Sequence, residues 1–128
     1  MEEPQQRVRE FKEFEDTESF AKLEGPDFKQ FILKYKVNLG RECNNEGAEG
    51  LNEEQIIFIG DSQKISRKHA IINWNFNTGE WQIENLSKNK VMINGLTLRR
   101  GDPPMLLEHR SPIKIDKYKF YFFPAISE

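Results

Sequence analysis

Three polar side chains of different chemistry, Arg41, Ser66 and Asn89, each stand where a short alternating apolar run ends or begins. A guanidinium grips a phosphate through two parallel hydrogen bonds, and a hydroxyl and an amide supply neutral partners beside it. Arg41 follows Leu39-Gly40, Ser66 opens the stretch Ser66-Arg67-Lys68-His69, and Asn89 lies within Ser87-Lys88-Asn89-Lys90. Lys64, Arg67, Lys68, Lys88 and Lys90 share those stretches and make them positive. If the three stretches gather at one rim, they form what a phosphorylated side chain needs, and the expected activity is binding without catalysis.

Positioning falls to strands. Phe31, Leu33, Tyr35, Val37 and Leu39 alternate with Gln30, Ile32, Lys34, Lys36 and Asn38, which predicts one strand with that set on a single face. The same period returns in Ala70, Ile72, Trp74 and Phe76, in Trp81 and Ile83, in Ile113 and Ile115, and in Tyr118, Phe120 and Phe122. Turn signals separate the runs: Asn77-Thr78-Gly79-Glu80, Asn94-Gly95 and Gly101-Asp102-Pro103-Pro104. Asn-Gly is the strongest short hairpin signal, because both residues tolerate positive φ. Many short strands without a convincing helix predict an all-β sandwich of two mostly antiparallel sheets. Such a fold presents its chemistry on the loops at the strand ends.

The 128 residues suit one domain, with 37% hydrophobic and 31% charged side chains. Residues 1–18 read as a charged flexible arm, in which Val8, Phe11 and Phe14 could form one amphipathic helical turn. Residues 19–128 read as the sandwich, with an acidic loop insertion over 42–55. A net charge of −2 argues against bulk nucleic-acid binding and leaves room for a local cationic site. The single cysteine, Cys43, excludes an internal disulfide framework and reads as a loop thiol in a reducing compartment. No apolar run reaches membrane-spanning length and the acidic start is no secretory signal. No phosphate-cradling glycine loop, metal-spaced His/Cys cluster or paired nucleophile and base is visible, so no cofactor, metal or enzymatic activity is expected.

Gly40-Arg41, Ser66-Arg67-Lys68-His69, Asn89 and Asn94-Gly95, in this order on this strand pattern, resemble a forkhead-associated (FHA) domain. The likeness covers roughly residues 20–125. Phe20-Ala21-Lys22-Leu23-Glu24-Gly25, Ile65-Ser66-Arg67-Lys68-His69-Ala70 and Phe120-Tyr121-Phe122 are most similar to the FHA domains of fork-head-type transcription factors. The resemblance implies an eleven-stranded sandwich that recognises phosphothreonine in an extended peptide, within a larger, nuclear protein. It implies that Arg41 and Ser66 contact phosphate and that Asn89 holds the peptide backbone. Arg67 or Lys68 would add a second positive group at the pocket's edge, and Lys88 and Lys90 would give a share of steering. Gly40, His69, Asn94 and Gly95 then belong to the scaffold, His69 as a post bracing the loops and Asn94-Gly95 as a turn. A monomer is expected, with no contact to nucleic acid or membrane through this domain.

The family's usual glycine after Asn89 is Lys90 here. If that position needs positive φ, lysine costs about 1 kcal/mol there. Residue 88 is Lys where many relatives carry Ser or Thr, which removes one hydroxyl near the phosphate. The competing reading is a sandwich that binds its partner through a sheet face or loops, without phosphate.

Overall fold

The computed structural model describes residues 19–26, 28–41 and 54–125, and these form eleven strands in two sheets. The strands are β1 (Ala21–Gly25), β2 (Phe28–Ile32), β3 (Lys36–Arg41), β4 (Gln55–Gly60), β5 (Ala70–Asn75), β6 (Glu80–Asn85), β7 (Val91–Ile93), β8 (Leu96–Leu98), β9 (Met105–Leu107), β10 (Ser111–Ile115) and β11 (Tyr118–Pro124). One sheet runs β2-β1-β11-β10-β7-β8 and the other β4-β3-β5-β6-β9. The β3–β4 pair is parallel and the others are antiparallel. The arm over residues 1–18 and Cys43 lie outside the described residues. Of the acidic stretch, Glu54 is described as the ion-pair partner of Lys36 at 3.1 Å, and Gln55 opens β4.

Alternation builds the core. Ile113 and Ile115 are buried while Lys114 between them faces solvent, and Phe120 and Phe122 point inward from β11. Ile72, Ile83 and Val37 answer from the second sheet. Each such side chain contributes about 1.5–3 kcal/mol when fully buried.

The expected single strand from Phe31 to Leu39 is instead two, broken at Leu33–Tyr35, and the halves join different sheets. Alternation alone cannot see this crossing. Leu33 and Tyr35 are exposed, and Tyr35 stacks on Phe20 with ring centroids 4.2 Å apart instead of entering the core. Phe76 likewise falls in the β5–β6 turn and is 71% exposed, although the period had placed it with Ala70 and Ile72. The Asn94-Gly95 turn is as expected, with φ of 54° and 80°.

Strand directions sort the loops onto two poles. The ends of β3, β4 and β6 meet the starts of β5 and β7 at one pole, beside the Asp116-Lys117 turn between β10 and β11. The start of β1 and the end of β11 pair at the other, where the Ala125 N–H donates to the Phe20 carbonyl at 2.9 Å.

Candidate functional site

Backbone contacts hold the end of β3 against the 61–69 loop. Gly40 lies so close to the 61–69 loop that an added Cβ would sit 1.7 Å from the Arg67 carbonyl oxygen, so no side chain fits there without moving backbone. Immediately after it, the Arg41 N–H donates to the Ser66 carbonyl at 3.1 Å. The β3–β4 register also shifts between Gly40 and Arg41, a bulge of the kind that re-aims a side chain. Among the described residues the Arg41 guanidinium donates to Gln63 Oε1 at 3.2 Å, which orients the fork.

His69 ties the loops from beneath. It is fully buried, its N–H donates to the Leu39 carbonyl at 2.8 Å, and its carbonyl accepts from Leu86 N–H at 2.9 Å. The Ser66 N–H donates to His69 Nδ1 at 3.0 Å, so Nδ1 is bare and the ring proton sits on Nε2. Burial pushes the His69 pKa down. The Asn89 and Lys90 backbone carbonyls and the Asp116 charge oppose that shift. Nε2 nevertheless meets hydrogen-bond geometry with none of the described residues.

The Asn89 loop is held by Asn85, which the sequence reading missed. Its buried amide donates to the carbonyls of Asn89 and Leu98, both at 2.9 Å, and its Oδ1 accepts from Ser87 N–H at 2.7 Å. Ser87 was missed too. Its hydroxyl accepts from Asn89 N–H at 3.0 Å and lies 2.6 Å from the Ser66 hydroxyl. The hydroxyl that Lys88 lacks is thus present one residue earlier. The Asn89 side-chain amide donates to the Lys64 carbonyl at 2.7 Å, bridging two loops.

Arg41 at the end of β3, and Ser66 and Asn89 on the two loops bonded beside it, therefore stand together at one pole. Arg67, Lys68 and Lys88 are exposed at the same rim. Lys90 is exposed and does not take positive φ: among described non-glycine residues only Asn94, Arg110 and Asp116 do. The expected strain at that position does not arise.

A two-sheet sandwich whose polar groups collect on the loops of one pole is a scaffold presenting a rim. The FHA domain family matches residues 37–116, and the chain belongs to that family. The transcriptional activator FHA1 of Nicotiana tabacum is 31% identical over 103 residues, 80% of this chain and 47% of that protein. Fork head protein homolog 2 of Saccharomyces cerevisiae is 27% identical over 117 residues, 84% of this chain and 14% of that protein. The chain spans less than half the length of these relatives. Among solved structures, the MEK1 FHA domain in complex with a HOP1 pThr peptide matches with a TM-score of 0.61 and 25% identity, covering 83% of this chain and 97% of that one.

Proposed function

We propose that this chain is a phosphothreonine-peptide recognition module acting in phosphorylation-dependent protein–protein association, without enzymatic activity. The single observation that carries the reading is the bonded convergence of Arg41 at the end of β3 with the Ser66 and Asn89 loops at one pole. The pThr peptide on the related MEK1 domain supports it. In this reading Arg41 supplies the forked charge, and the Ser66 hydroxyl donates to a phosphate oxygen. Asn89 bonds the peptide main chain. Arg67 and Lys88 raise the potential at the rim. Phosphothreonine is preferred over phosphoserine, since burying its extra methyl is worth about 1 kcal/mol by transfer alone.

Relatives named as a transcriptional activator, fork-head homologs and a pre-rRNA-processing protein support a nuclear setting within a longer protein. The domain acts as a monomer and leaves nucleic acid to other parts of such a protein. Calorimetric titration with a threonine-phosphorylated peptide, its phosphoserine analogue and its unphosphorylated twin tests the reading. The first is expected to bind tightest, the phosphoserine analogue about fivefold more weakly and the unphosphorylated twin not measurably. Equal binding of the first and last would assign the domain to phosphate-independent association.

A further inference from the structure

A groove of about 840 Å³ opens beside the Asn89 loop and continues over the outer face of the six-stranded sheet. Its lining carries six cations, Lys64, Lys88, Lys90, Arg99, Lys114 and Lys119. One carboxylate, Asp116, faces them. It interacts first with the Ser62 hydroxyl, then with the Lys117 amide and the Lys64 and Lys117 charges, which hold its carboxyl below the usual range. None of the six cations forms a salt bridge among the described residues. Lys114 and Lys119 are direct cross-strand partners on β10 and β11, and Met92 on β7 lies opposite Lys114. Like charges placed opposite each other destabilise a sheet. This chain maintains such a pair, without a carboxylate partner among the described residues, in a protein whose net charge is −2.

We propose that this groove takes a run of acidic residues belonging to the same polypeptide that carries the phosphothreonine. The proposal rests on the function given above, and it adds the second half of the ligand. Continuity argues for one polypeptide, because Lys64, Lys88 and Asn89 line the groove and also stand on the loops of the phosphate rim. Strands lie about 4.8 Å apart, so crossing β7, β10 and β11 takes an extended peptide of about four residues. A single nucleic-acid strand is the weaker fit. Such strands bind by stacking bases on aromatic rings, and no aromatic side chain lines the groove.

The test uses fluorescently labelled phosphothreonine peptides with neutral flanks, or with four glutamates on either the N-terminal or the C-terminal flank, each beside an unphosphorylated twin. An acidic run on one flank tightens binding about tenfold, as several exposed ion pairs together supply. The variant Lys114→Glu/Lys119→Glu abolishes that gain while binding the neutral-flanked phosphopeptide as the parent does. Lys90→Glu/Arg99→Glu serves as an independent second variant, with thermal melts confirming that both fold. Absence of a gain on either flank, or a gain that survives both reversals, overturns the proposal. Single-stranded RNA that binds and loses binding on reversal, without any acidic-peptide gain, overturns it in favour of nucleic acid. An unphosphorylated acidic peptide that binds and is lost on reversal, beside a neutral phosphopeptide that never binds, keeps the groove and removes the phosphate reading.

Discussion

The hydroxyl oxygens of Ser66 and Ser87 lie 2.6 Å apart, and the second already accepts the Asn89 N–H at 3.0 Å. Either hydroxyl can donate across this pair, and the orientation in which Ser87 donates to Ser66 is the one that leaves the Ser66 proton for a phosphate oxygen. Hydrogen bonds in such a chain strengthen one another.

Ser87→Ala therefore weakens phosphopeptide binding although Ser87 does not touch the ligand. The expected loss is about 1 kcal/mol, against about 1–3 kcal/mol for Ser66→Ala. In the double variant the losses do not add, because both act through one hydroxyl. Calorimetry on the four proteins checks this, and simple additivity would separate the two serines.

Arg41→Ala removes measurable phosphopeptide binding and shifts the melting temperature by no more than a few degrees, since among the described residues its guanidinium makes one exposed bond, to Gln63. Arg41→Lys keeps the charge but loses the fork, and recovers binding only in part. A large fall in melting temperature for Arg41→Ala would make the residue scaffolding.

Asn85→Ala unfolds the protein more easily, because it strands the Asn89 and Leu98 carbonyls and the Ser87 N–H. Unpaired buried groups cost about 1–3 kcal/mol each. Asn85→Asp is little better, as a carboxylate cannot donate to two carbonyls. Chemical denaturation measures the loss directly. Stability within about 0.5 kcal/mol of the parent would show that the loop holds its shape without this residue.

His69 makes the free domain less stable in mild acid. Burial lowers its folded pKa from an ordinary 6.5, so the unfolded chain binds the proton first as pH falls. Stability is at full value above the unfolded pKa, declines as pH drops below it, and levels off beneath the folded pKa. His69→Gln should remove that slope between pH 7 and 5 in denaturant titrations. His69→Ala also strands the Ser66 N–H, and destabilises the fold by about 2 kcal/mol or more.

The sandwich and its rim were legible to different depths. Ile113, Ile115, Phe120 and Phe122 announced their strands because one face of each is buried and the other wet. Asn94-Gly95 announced its hairpin because few dipeptides take positive φ twice. The break at Leu33–Tyr35 was hidden, since an aromatic stack on Phe20 mimics a core-facing position in a period-two count. Arg41, Ser66 and Asn89 were visible through motif order. Asn85 and Ser87 were not, because their roles arise only when backbone atoms from distant strands arrive around them. The cationic face was hidden as well, because only the pairing of β10 with β11 sets Lys114 beside Lys119.

The hydrogen bond from Ala125 to Phe20 brings the two flanks of the sandwich together at the end remote from the Arg41 rim. A unit wired this way is portable. It can be spliced into a surface turn of an unrelated host through one small gap, with its reading loops still facing outward.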